Sequence, residues 1–268
     1  MKKGALLQVL REVRSHKGRE KHQLFSIEGY RLMERCLESQ SPLQAVLLEE
    51  RMLIDPTPRE ESILQQLEQT KVPVVPATEE EVAEFTEGRT FGSIMGVVQT
   101  LKPANLETWL ESPSTACKFL VVVEAKDPGN LGALMRTGKA SRADVLITVG
   151  GTDPFHPKAA RTSMGAIFDM PIATCPRTTD LIGLLQGAKV QTIGAVVEEG
   201  IAPYEGSLSH RHALFMGSEA HGLPKEWQPR FDTRWTIPMA DGIDSFSINA
   251  ATSVLMYELN RREWTETS

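Results

Sequence analysis

Long apolar runs are missing from this 268-residue sequence: none approaches the roughly 18 residues needed to cross a bilayer. No apolar stretch follows the basic start Met1-Lys-Lys-Gly-Ala, so no secretory leader is expected. Cysteine is scarce. Cys36, Cys117 and Cys175 are far apart and form no Cys-x-x-Cys pair, which argues against a disulfide framework or a zinc site. A reducing, cytoplasmic compartment is the expectation. Neither a G-x-G-x-x-G turn nor a P-loop is present, so a dinucleotide or ATP held in the usual ways is not expected. Internal repeats and low-complexity tracts are also absent.

Histidine offers little. His210 and His212 alternate on a strand approach and read as solvent-facing, His156 opens a helix, and His221 lacks clustered partners. No metal site and no histidine acid–base pair is expected.

What is present is ordinary in bulk: 41% hydrophobic and 24% charged residues, enough chain to bury a core, and a length that favours two domains. The charge is uneven. Residues 1–35 carry nine Lys/Arg against four acids, a net of +5, and leave the remainder at −11. A local basic patch that includes Lys17, Arg19 and Lys21 suits phosphate contact, whatever the whole-chain charge of −6. A solvated amphipathic helix explains the same residues without RNA, and both readings stay open.

Hydrophobic periodicity gives an α/β alternation in both halves. In the first, helices are expected at Leu6–Val13, Tyr30–Leu37 and Glu60–Thr70, and strands at Phe25–Ile27, Leu43–Leu48, Val72–Val75 and Ile94–Thr100. Thr78-Glu-Glu-Glu81 is a capping-box signature. Pro103–Thr115 is polar and proline-bearing and reads as a connector. In the second half, the continuous apolar run Phe119–Val123 predicts a parallel strand buried on both faces, and similar strands are expected at Val145–Val149, Val190–Val197, Ala213–Met216 and Thr233–Ile237. Helices are expected at Leu131–Ala140, Pro157–Ala166, Thr179–Ala188 and Ser247–Arg261. The expected organisation is a first domain at 1–100, a linker at 101–116 and a second domain at 117–268.

Three blocks stand out: DPGNLGALMRT (Asp127–Thr137), GSEAHGL (Gly217–Leu223) and IPMADGIDSFSINAATSVLMYEL (Ile237–Leu259). The second follows an apolar strand and contains glycines that let backbone approach a ligand closely. Taken in order, the blocks resemble the three motifs of the SpoU (TrmH) family of RNA ribose 2′-O-methyltransferases, over about residues 119–262. Residues 20–100, opening with FSIEG at Phe25–Gly29, resemble the L30e-like RNA-binding domain that often precedes that catalytic domain.

The resemblance implies a trefoil-knotted, mainly parallel α/β sheet, S-adenosylmethionine as cofactor, structured RNA (ribosomal before transfer RNA) as substrate, and a homodimer without metal or membrane. It implies catalytic roles for Arg136, Asn130, Glu219 and Ser245. Cofactor binding falls to Gly194, Gly217, Leu223, Ile237, Met239 and Phe246, and Arg161 meets substrate phosphate or a partner subunit. Arginine is too basic to serve as a general base. Arg136 is therefore expected to clamp a phosphate and stabilise the developing alkoxide, with Asn130 close to it. Glu219 is expected to orient loop backbone or to face an arginine. The third block departs from the family pattern, in which asparagine follows the serine by two residues. Ser247 stands there, and Asn249, two residues on, is expected on a different helix face. A non-catalytic RNA-binding or ribosome-assembly protein with the same fold and a small-molecule methyltransferase are the competing readings.

Overall fold

The run Cys117–Val123 forms a strand buried along its whole length, as expected where both faces of a parallel sheet are covered. The computed structural model describes residues 1–86, 93–112, 114 and 116–266, with 262–266 by backbone alone. The chain divides into two units: residues 1–102 with 153–169, and residues 103–152 with 170–268.

The first unit holds strands β1 (Leu24–Glu28), β2 (Leu43–Glu49), β3 (Val74–Ala77) and β4 (Ile94–Gln99), ordered β1-β4-β2-β3. β4 runs antiparallel to β1 and β2, and β2 runs parallel to β3. Leu6 and Leu10 of the Lys3–Glu12 helix close one face, packed with Leu47, Val75 and Val97. The expected capping box forms: Thr78 accepts from Glu81 N–H, and Glu81 accepts from Thr78 N–H.

Residues 153–169, assigned by the sequence reading to the second domain, pack with this first unit. Phe155 and Phe168 place their rings 5.2 and 6.4 Å from that of Phe25. Asp153 accepts from Arg19 Nε at 2.6 Å, and Arg161 pairs with Glu28 at 2.9 Å. Buried ion pairs and ring contacts are long-range choices that periodicity does not encode.

The second unit is a six-stranded parallel sheet: β5 (Cys117–Val123), β6 (Val145–Val149), β7 (Ile172–Cys175), β8 (Gln191–Ala195), β9 (Arg211–Met216) and β10 (Thr233–Trp235). Their order is β10-β8-β9-β5-β6-β7. The chain therefore steps outward from β5 to β7, crosses to β8, and inserts β9 between β8 and β5. β7 is an addition to the strands expected from sequence. The expected connector also belongs here. It contains the Leu106–Leu110 helix, capped by Asn105, and Ala104, Leu106, Trp109 and Leu110 pack on the sheet's core. Arg211 donates to the carbonyls of Trp109, Leu110, Ser112 and Ser114, which holds this segment down. Pro113 and Thr115 of the expected linker lie outside the described residues. His212, expected to face solvent, is buried, and its Nδ1 donates to the Ser209 carbonyl at 2.8 Å.

Candidate active site

In an open parallel sheet, ligands bind beyond the carboxyl ends of the strands, where the strand order reverses. Here the segments leaving β8, β9 and β10 enclose a cavity of about 720 Å³. That volume lies within the range of roughly 300–1,000 Å³ typical of small-molecule sites. Ala195–Glu199, Met216–Leu223, Ile237, Met239 and the Asp244–Phe246 stretch line it, together with Ile248, Ala251 and Leu255 of the Ile248–Glu266 helix. Four carboxylates (Glu198, Glu199, Glu219, Asp244) against Lys225 and His221 bias the lining negative. Backbone donors and acceptors of the loops add polar groups between apolar walls.

The Gly217–Leu223 loop is closed on itself. Ser218 N–H donates to the Gly222 carbonyl at 3.1 Å, and Gly222 N–H returns a bond to Ser218 at 2.9 Å. Gly217 is dictated by that closure, since a Cβ there would stand 2.0 Å from the Gly222 carbonyl carbon. Leu223, only 2% exposed, anchors the far end.

Glu219 is held by two donors: the Asn130 amide to Oε1 at 2.8 Å and the Lys126 backbone N–H to Oε2 at 3.5 Å. No arginine meets it among the described residues, contrary to one sequence expectation. The amide wins because Asn130 lies in the first turn of the Pro128–Ala140 helix, whose N-cap Asp127 aims that turn at the loop. Arg136 lies on the same helix, six residues or ~9 Å along the axis. It is exposed, with no ion pair or hydrogen bond, to Asn130 or to any other group, among the described residues.

Of the cofactor set expected from sequence, Gly217, Leu223, Ile237, Met239 and Phe246 line the cavity, as does the expected catalytic Ser245. Gly194 does not. It is buried in β8, and the ring of Phe231 fills the space beside it, so the following residues from Ala195 onward take the lining role.

The expected RNA contacts separate. Lys17 is exposed without a partner among the described residues. Lys21 is exposed and pairs with Glu12 at 2.7 Å. Arg19 is a correction: at 4% exposed it donates to the Val13 and Arg14 carbonyls and pairs with Asp153, so its charge serves the fold. Arg161 is likewise largely buried against Glu28 and is not free to meet a phosphate.

Sequence reasoning missed Asn249. Its Nδ2 donates to Asn130 Oδ1 at 3.0 Å. Ser247 caps the helix instead: its Oγ accepts from Ala250 N–H at 3.3 Å and its carbonyl accepts from Ala251 N–H at 2.9 Å. The face argument compared positions on one helix and had no access to Asn130, which approaches from another element.

Among the described residues, no group of three or more His, Cys, Asp or Glu could hold a metal ion, and no helix is long and apolar enough to cross a membrane. Cys36, Cys117 and Cys175 are buried, and desolvation pushes the thiols of Cys36 and Cys117 up to about 12.

Comparison with known proteins adds an independent line. The model of the SpoU rRNA Methylase family matches residues 118–257, and that of the MRM3-like substrate binding domain matches residues 6–96. The chain is 27% identical over 251 residues to the 23S rRNA (guanosine(2553)-2′-O)-methyltransferase RlmP of Bacillus subtilis, covering 93% of each. It is 27% identical over 212 residues to the 23S rRNA (guanosine-2′-O-)-methyltransferase RlmB of Pseudomonas putida, covering 76% of this chain and 84% of that protein. Among solved structures, an AdoMet-bound rRNA methyltransferase from Sinorhizobium meliloti aligns with a TM-score of 0.82 at 25% identity, over 96% of this chain and 94% of that one. The fold of the SpoU methyltransferase AviRb from Streptomyces viridochromogenes aligns with a TM-score of 0.84 at 20% identity, over 97% and 98% of the two chains.

Proposed function

Because the chain belongs to the SpoU rRNA methylase family, we propose that it catalyses S-adenosylmethionine-dependent methylation of a ribose 2′-hydroxyl in ribosomal RNA. The observation that carries this reading is the cavity beyond β8, β9 and β10, bordered by Glu219 in its bond to Asn130. The cofactor fits the donor set: an apolar wall of Leu223, Ile237, Met239 and Phe246 suits an adenosine, and the closed Gly217–Leu223 loop offers backbone groups to its polar edges. When bound, S-adenosylmethionine supplies a methyl group on a positively charged sulfur.

The chain's own residues do the remaining work. The negative lining made by Glu198, Glu199, Glu219 and Asp244 favours a cationic ligand over a neutral one. Arg136, exposed and unpaired among the described residues, clamps the phosphate beside the target ribose and stabilises the oxygen as it loses its proton. A phosphate oxygen or water takes that proton, because a guanidinium has none of the basicity needed. Ser245 lies on the cavity rim beside Phe246 and positions the ribose.

The first unit holds structured RNA through its backbone and shape, with Lys17 as a phosphate contact. The sheet's later loops form a trefoil knot. The protein acts in the cytoplasm as a homodimer, and the outward Val254 and Tyr257 of the last helix, 43% and 58% exposed, meet the partner while Leu255 and Leu259 serve the core. The test is transfer of tritiated methyl from S-adenosylmethionine to ribosomal RNA, with mapping of 2′-O-methyl positions in RNA from cells lacking the protein. One position lost in those cells and restored by the protein supports the reading. Tight RNA binding with no methyl incorporation overturns it.

A further inference from the structure

Asn249 occupies the first turn of the Ile248–Glu266 helix, behind the Ser247 cap. Its Nδ2 donates to Asn130 Oδ1, and Asn130 Nδ2 donates to Glu219 Oε1. The direction of this relay is imposed from one end. An ionised carboxylate only accepts, so Asn130 must turn its NH2 toward Glu219. That leaves the Asn130 oxygen facing Asn249, which must in turn offer its own NH2. Asn249 Oδ1 is then buried with no hydrogen-bond partner among the described residues. Such a placement is unfavourable by itself, so the bond to Asn130 decides which way the Asn249 amide points.

We propose that Asn249 is a positioning residue for the cofactor loop. Acting through Asn130, it orients Glu219, which lines the cavity, and so joins the starts of the Pro128–Ala140 and Ile248–Glu266 helices to the Gly217–Leu223 loop. Ser247 does not serve this purpose, because its hydroxyl caps the helix and the residue is exposed. The inference rests on the reading of the cavity as the S-adenosylmethionine site.

The relay's polarity supplies the test. In N249D, a carboxylate at position 249 accepts from the Asn130 NH2 and turns the Asn130 oxygen against the Glu219 carboxylate. In N249D/E219Q the relay runs backwards without conflict. The amide at 219 donates to Asn130, and its oxygen still receives the Lys126 N–H. An acid in a helix's first turn favours the helix, so folding is preserved. Wild type, N249D, E219Q and the double variant are titrated calorimetrically with S-adenosylhomocysteine, with thermal melts alongside. The expected result is that N249D weakens binding about tenfold in the wild-type background and less than about twofold in the E219Q background, with melting midpoints unchanged. Equal losses in both backgrounds, wild-type binding by N249D, or a loss that tracks a lowered melting midpoint would overturn the inference alone. A wild-type protein that binds no S-adenosylhomocysteine overturns the cofactor reading and this inference with it.

Discussion

The ring of Phe231 occupies the space that a side chain on Gly194 would need: a Cβ at position 194 would stand 2.5 Å from Phe231 Cδ2. Phe231 in turn packs on Phe215 of β9, 5.0 Å away between ring centroids. Gly194→Ala is expected to destabilise the protein by about 1–3 kcal/mol through overpacking. Denaturant unfolding measures this, and adding Phe231→Leu to the same chain should recover much of the loss. A Gly194→Ala protein as stable as wild type would show that the ring moves aside freely.

Arg136 makes a separable prediction, because it lies outside the cavity lining and has no hydrogen bond or ion pair to break among the described residues. Arg136→Ala should lower methyl transfer about 10²–10³-fold, the scale for losing one preorganised charge on a developing oxyanion. S-adenosylhomocysteine affinity should stay within about twofold in calorimetry. Parallel loss of both would assign Arg136 to cofactor binding.

Two basic residues, two positions apart, should behave in opposite ways. Arg19→Ala leaves Asp153 largely buried without its partner, and breaking such a pair costs roughly 3–5 kcal/mol. A fall in melting temperature is expected, even with no RNA present. Lys17→Ala should leave melting unchanged, weaken RNA binding, and reduce the salt dependence of that binding by about one unit of slope. If Arg19→Ala melts normally and alters only RNA affinity, the fold role assigned to it is wrong.

Glu60 predicts a response to acid. Burial by itself would raise its carboxyl, but hydrogen bonds from Arg51, Tyr30 and Thr57 outweigh that and hold it at about 2. A depressed carboxylate adds stability above its unfolded value near 4.5, and that stability is lost as pH falls toward 2. Glu60→Gln should therefore be less stable at neutral pH, on the order of 2–3 kcal/mol, and should show a flatter decline between pH 5 and pH 2, the unfolded and folded limits of the titration. Melting curves across that range check it, and parallel declines in the two proteins would contradict the assignment.

The strands were legible because their residues carry the signal themselves. Phe119–Val123 is an apolar run and Val145–Val149 one interrupted only by Thr148, and the structure buries each at every position. β7 went unread because Ile172–Cys175 is four residues long and includes an exposed Thr174, too short for a period to register. GSEAHGL was legible as a loop because its glycines mark close backbone approach, and Gly217 requires it. Arg19 and Asn249 were misread for one shared reason. Each owes its place to a partner far along the chain, Asp153 and Asn130 respectively. Local patterning describes a residue's own segment, while these residues are governed by what reaches them from elsewhere.

Residues 153–169 belong with the first unit although fifty residues of the second, 103–152, precede them in the chain. The order of synthesis is thus not the order of completion. While the chain grows, Arg19 and Phe25 are made long before Asp153, Phe155 and Phe168, the groups that satisfy and cover them. A nascent chain ending near residue 102 would carry an unfinished first unit with a cation and an aromatic ring still waiting for company. The first unit is finished only by residues made after the second has begun, so the two halves mature as interleaved events.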